Sequence, residues 1–176
     1  MSTSTDQQSQ PPLSLQPHQA RIDWATYEKT APAAVLALRS LGQAVDDSGL
    51  DKGLTELIKV RASQINGCAF CLQYHLNLAR KLGLPVAKLD LLATWAETGI
   101  YSLRERAALA WTEALTNMNQ QAISQAACEQ LKSAFSDSEI AFLTTSIAAI
   151  SAWNRIAGSL QFAPPVPAEN LSGATK

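Results

Sequence analysis

The chain has 176 residues, enough for one domain with a full hydrophobic core, and a formal net charge of −1. That balance favours neither nucleic acid nor an anionic membrane surface as a partner. No apolar run approaches the ~20 residues of a membrane span, and three cysteines are too few, and odd in number, for a secreted disulfide scaffold.

Residues 1–20 are rich in Ser, Thr, Gln and Pro, with neither the basic nor the apolar region of a secretory signal. A disordered tail, holding His18, on a cytoplasmic protein is the expectation. Asp23 can cap a first short helix, and Pro32 opens an Ala- and Leu-rich one over 33–45. Beyond the Asp46-Asp47-Ser48-Gly49 turn, Leu54, Leu57, Ile58, Arg61 and Ile65 recur at helical spacing, with Glu56 placed in the first turn. Asn66-Gly67 breaks that helix. Asn66 is the expected cap of the next, which begins near Cys68 and ends at Gly83. Pro85 precedes a helix predicted over 86–98 and closed by Gly99.

Ser102-Leu103-Arg104-Glu105 forms a capping box for a fifth helix, and Ser124 caps a sixth running to Phe135. Ser136-Asp137-Ser138-Glu139 is a second capping box, opening a helix over 138–160 that is apolar on nearly all sides. Such a helix is buried centrally or against another subunit. Trp153-Asn154-Arg155 near its end reads either as an anchor plus a charge for the terminal carbonyls, or as part of a site or interface. Residues 163–176, with Pro164, Pro165 and Pro167, read as an irregular tail. No segment alternates with a period of two. The expected fold is therefore all-α, a single-domain bundle of about six to seven helices over 21–162 that self-associates.

The chemistry concentrates in Cys68-Ala69-Phe70-Cys71, with His75 one turn further on and Glu56 twelve positions before Cys68. Cys71 and His75, at i and i+4, share a helical face. Cys68 lies at the helix start, where free N–H groups favour a thiolate. The spacing suggests a redox pair in which Cys71 attacks, assisted by His75, and Cys68 is an exposed resolving thiol. Three plainer readings compete: two core cysteines, a structural disulfide closing a very short loop, or zinc. Zinc is disfavoured because His18 and His75 are the only histidines and no second CxxC exists. Glu56 reads equally as a solvated carboxylate or as a partner of His75. Cys128 reads as core filler, and Tyr74 as a packing residue.

The run from Glu56 through Gly67-Cys68-Ala69-Phe70-Cys71 to His75, Ala79-Arg80 and Gly83 resembles the alkyl hydroperoxidase D-like proteins of the carboxymuconolactone decarboxylase superfamily. The likeness continues through Trp95, Arg104 to Leu109, Glu113 to Thr116 and Ala152-Trp153-Asn154-Arg155. It implies an all-α fold assembled as trimers or hexamers, with Cys71 as the peroxidatic cysteine, Cys68 as its disulfide partner, and His75 and Glu56 as a proton relay. The chain departs from the best-known members at Phe70, where they carry a second histidine.

On this reading the protein is a thiol-dependent peroxidase acting on a hydroperoxide. An external dithiol, lipoyl-linked or thioredoxin-like, reduces it, and neither haem, flavin nor metal is needed. A carboxymuconolactone decarboxylase-like lyase is the alternative enzyme, although a lyase has no use for paired thiols. A non-enzymatic, redox-responsive oligomeric scaffold is the third reading.

Overall fold

A computed structural model describes residues 19–168, so His18, most of the N-terminal tail and residues 169–176 lie outside the described part. Eight α-helices run through it: α1 (Trp24–Thr30), α2 (Pro32–Asp47), α3 (Lys52–Ile65), α4 (Ala69–Lys81), α5 (Val86–Asp90), α6 (Leu103–Thr116), α7 (Gln125–Ala134) and α8 (Asp137–Leu160). A 3-10 segment, Leu92–Glu97, follows α5, and no strand occurs among the described residues.

The helix starts follow local chemistry. Asp23 Oδ1 accepts the Thr26 N–H at 2.7 Å, and Asp51 Oδ1 does the same for Leu54. Ser102 and Ser136 form full capping boxes with Glu105 and Glu139. Two expectations change. Asn66 ends α3 instead of starting α4, because Gly67 turns the chain at φ +65° and delivers Cys68 in extended geometry as the N-cap of α4. The helix expected over 86–98 breaks after Asp90. Leu89, Leu92 and Trp95 are all buried at a spacing of three, which a 3-10 segment keeps on one side and an α-helix does not.

The bundle is organised around α3, which packs against α4, α6, α8 and the 3-10 segment and is buried on most of its surface. Helix α8 crosses the bundle against α2, α3, α4, α6 and α7. By length and composition α8 is long and apolar enough to span a membrane, unlike the expectation that no segment would be. Yet it carries buried Ser146 and Asn154 and supplies Leu143, Ile147 and Ile150 to the core. Only 39% of its most apolar window is buried within the chain.

Candidate functional site

Where α3, α4 and α8 meet, Cys68, Cys71, Ala62, Ile150 and Ala157 form one buried cluster, covered by Phe162 beyond the end of α8. Cys68 caps α4 through its own sulfur, which accepts the Cys71 N–H at 3.3 Å. The two Sγ atoms are 2.6 Å apart, so nothing stands between them. Cys68 is 1% exposed, which corrects the expected exposed resolving thiol: α8 and Phe162 lie over it.

The two sulfurs, alike in burial, differ in electrostatics. The hydrogen bond from Cys71 brings the Cys68 thiol down to about 7 from an ordinary 9.0, against burial and with help from backbone N–H groups and the Asn154 amide. The same bond, reinforced by burial, pushes the Cys71 thiol up. The pair thus gives up a first proton easily and holds the second, a property of both sulfurs together.

Glu56 lies beyond the first turn of α3 and is 5% exposed, so it is no solvated first-turn carboxylate. Its Oε2 meets His75 Nδ1 at 2.7 Å and its Oε1 accepts from Lys59 Nζ at 2.9 Å. Burial pushes the Glu56 carboxyl up, but the hydrogen bonds and charges of His75 and Lys59 outweigh it and hold the group below its ordinary value. An ionised carboxylate can only accept, so Nδ1 carries the proton and Nε2 is left as the basic nitrogen.

Cys71 and His75 both line a cavity of about 460 Å³. Its walls are mostly apolar and include Trp24, Phe70, Ile150 and Trp153. Phe70 stacks on Trp24 and Tyr74 and meets Phe162 edge-on at 5.4 Å. The site therefore has an aromatic wall where a second base was absent from the sequence. Tyr74 packs as expected, though it is half-exposed on the same cavity. Cys128 packs against a separate core cluster that contains Leu131 and Leu143.

Asn154 is the residue that sequence reasoning left undecided. It is 4% exposed, accepts from Asn66 Nδ2 at 2.9 Å and donates to Ser63 Oγ at 3.1 Å. Its amide lowers both thiols. One signal was available: a lone amide in an apolar stretch must find partners or unfold the site. Arg155 is exposed and donates to Ser151 O one turn back.

Three comparisons bear on this arrangement. The sequence profile of the carboxymuconolactone decarboxylase family matches residues 31–114. The uncharacterized protein YdfG of Bacillus subtilis (strain 168) is 30% identical over 131 residues, 74% of this chain and 89% of its own length. Among solved structures, a protein of unknown function from Agrobacterium tumefaciens, proposed to be the antioxidant defence protein AhpD, superposes with TM-score 0.80 at 40% identity, covering 85% of this chain and 100% of its own. The debrominase Bmp8 shares the fold at TM-score 0.70 and 18% identity, with 78% of this chain and 74% of its own covered.

Proposed function

From the premise that the chain belongs to the carboxymuconolactone decarboxylase family, we propose that it is a thiol-dependent peroxidase of the alkyl hydroperoxidase D type. One observation carries the reading. Two sulfurs in contact, one of them on a cavity wall, stand beside an imidazole oriented by a buried carboxylate. A lyase would need neither sulfur.

Cys71 is the sulfur that lines the cavity, so it attacks. The pair's first proton goes to His75 Nε2, and the remaining one crosses from Cys71 to Cys68 over their 2.6 Å contact. The Cys71 thiolate so formed takes the terminal oxygen of R–O–O–H, the O–O bond breaks, and Cys71 becomes a sulfenic acid. The departing alkoxide takes a proton and leaves as an alcohol. Protonated His75 Nε2, with Glu56 stabilising the charged ring, is the donor. Cys68 then attacks the Cys71 sulfur, the S–O bond breaks, hydroxide leaves as water with the proton that Cys68 carried, and a disulfide forms. Two electrons and two protons from an external dithiol, lipoyl-linked or thioredoxin-like, restore the thiols. Because Cys71 lines the cavity and Cys68 does not, that dithiol attacks Cys71 and Cys68 leaves as the thiolate.

The test is titration of reduced protein with one equivalent of a hydroperoxide, followed by mass spectrometry of the cysteines. A Cys68–Cys71 disulfide, one alcohol produced per site, is the expected result. Unmodified cysteines with the peroxide unconsumed would overturn it. Turnover of a carboxylated lactone by a Cys68→Ser/Cys71→Ser double variant would favour the lyase. Self-association as a trimer or hexamer belongs to the same proposal, since large apolar side chains such as Leu36, Val86 and Leu103 stay exposed within one chain. A folded, active monomer in light scattering would remove it.

A further inference from the structure

The cavity has a character that the peroxidase reading does not require. Hydrogen peroxide needs little more room than a water molecule, for which ~30 Å³ suffices. About 460 Å³ of mostly apolar space is in the range that holds organic ligands. Its charge is one-sided. Among the described residues the lining includes the cations Arg39 and Lys59 and no Asp or Glu.

The two cations are not equivalent. Lys59 is held inside by Glu56, at 2.9 Å, with its side chain 16% exposed. Arg39 projects from α2 at the opening, with its side chain 60% exposed and its guanidinium 5.6 Å from the centre of the Trp24 ring. Its partner, Glu28, is itself 42% exposed at 2.8 Å. An exposed, solvent-screened pair of this kind contributes little, so another carboxylate can take the guanidinium. Cys71, 2% exposed, marks the floor. A molecule filling the space would place one end on the sulfur, its body against Phe70, Ile150 and Trp153, and its other end beside Arg39.

We propose that this pocket selects organic hydroperoxides bearing a carboxylate remote from the peroxide, with Arg39 binding that carboxylate at the mouth. The proposal rests on the peroxidase reading for its chemistry, but its recognition element can be measured without it. A fork of guanidinium N–H donors is well matched to a carboxylate.

Two measurements separate the claims. In the first, the hydroperoxide of linoleic acid and that of its methyl ester compete as substrates, with dithiothreitol as reductant. The acid should be preferred in kcat/KM by about five-fold, the size expected of one partly solvated charge-assisted contact. Arg39→Gln should bring the acid-to-ester ratio close to one, and Glu28→Gln, which frees the guanidinium, should raise it. An ester consumed as well as the acid, or a ratio untouched by both variants, overturns the proposal while leaving the peroxidase standing.

In the second, quenching of tryptophan fluorescence is titrated with octanoate and methyl octanoate, neither of which can oxidise a thiol. Tighter binding of the acid, lost in Arg39→Gln, supports the recognition element even if no hydroperoxide is consumed and the peroxidase reading falls. Equal binding of acid and ester, or none, counts against it in either case.

Discussion

Two buried or half-buried carboxylates, Glu56 on α3 and Glu113 on α6, are built alike and serve different ends. Glu56 accepts from the cation Lys59 and from a ring nitrogen of His75. Glu113 accepts from the cation Arg61, at 2.8 Å from Nε and 2.7 Å from a terminal nitrogen, and from the ring nitrogen of Trp95 at 2.7 Å. The indole N–H can only donate, so the second constellation fixes α3, α6 and the 3-10 segment together and its ring moves no proton. An imidazole has a second nitrogen, and here the ring stands on the same cavity as a sulfur. The geometry of a carboxylate, a cation and a ring is therefore no evidence of chemistry by itself. What distinguishes the two is whether the ring can move a proton and whether a reactive atom is near.

The largest effect should come from the sulfurs, which only the Glu56 side has. Cys71→Ser should abolish peroxide consumption in a single turnover. Cys68→Ser should consume about one equivalent per site and stop, with Cys71 held as sulfenic or sulfinic acid detectable by mass. Loss of that first oxidation in both variants alike would break the assignment of roles. In the intact protein the single-turnover rate should rise with pH through about 7, where Cys68 releases the pair's first proton, and then level off. Cys68→Ser should move the inflection upward, since Cys71 loses the neighbour that shares its proton. An inflection unchanged in that variant would show that the sulfurs titrate independently.

The next contrast sets the two rings against each other. His75→Ala should slow single-turnover oxidation by about 10²-fold near neutral pH, the lower end of what a positioned general acid or base supplies. Trp95→Phe removes one donor to Glu113 and should leave that rate alone, while costing about 1 kcal/mol in urea unfolding. If Trp95→Phe slowed oxidation as much as His75→Ala, the two networks would be coupled through α3 and the distinction would fail.

Much of the fold was legible because its signals are local. Asp23, Ser102 and Ser136 act within one turn of themselves, and so do Gly67 and Gly83 with their positive φ. The shared face of Cys71 and His75 is local too. What spacing could not give was depth. Cys68 is buried in a cluster with Ile150, Ala157 and Phe162, all more than 80 residues away, and Asn154 joins Asn66 across 88 positions. The approach of Glu56 to His75 depends on how α3 packs on α4, and the sequence left it even with a solvated carboxylate until the resemblance favoured it. The break after Asp90 was hidden for another reason: no Gly or Pro stands between Val86 and Thr98, and the burial of Leu89, Leu92 and Trp95 at a spacing of three shows only in the packed structure.

A third carboxylate sharpens the comparison from its exposed extreme and should give the smallest effect. Glu139 closes the capping box of α8: it accepts the Ser136 N–H at 2.8 Å and meets Arg104 at 2.7 Å. The backbone hydrogen bond to Ser136 first, then Arg104, pull the Glu139 carboxyl down to about 2 from an ordinary 4.5. A carboxyl lowered on folding adds stability that is present above its unfolded value and is lost as pH falls through the folded one. The stability of the wild type should therefore decline between about pH 4.5 and 2 more than that of Glu139→Gln, which has no such proton to take up. The side chain is 36% exposed and Arg104 is 48% exposed, so solvent screens the pair and the difference should be modest, and smaller still in added salt. Thermal unfolding followed by circular dichroism over that pH range measures it. Parallel curves for the two proteins would mean that Glu139 keeps its capping bonds when protonated, and that burial, not hydrogen bonding alone, sets Glu56 apart.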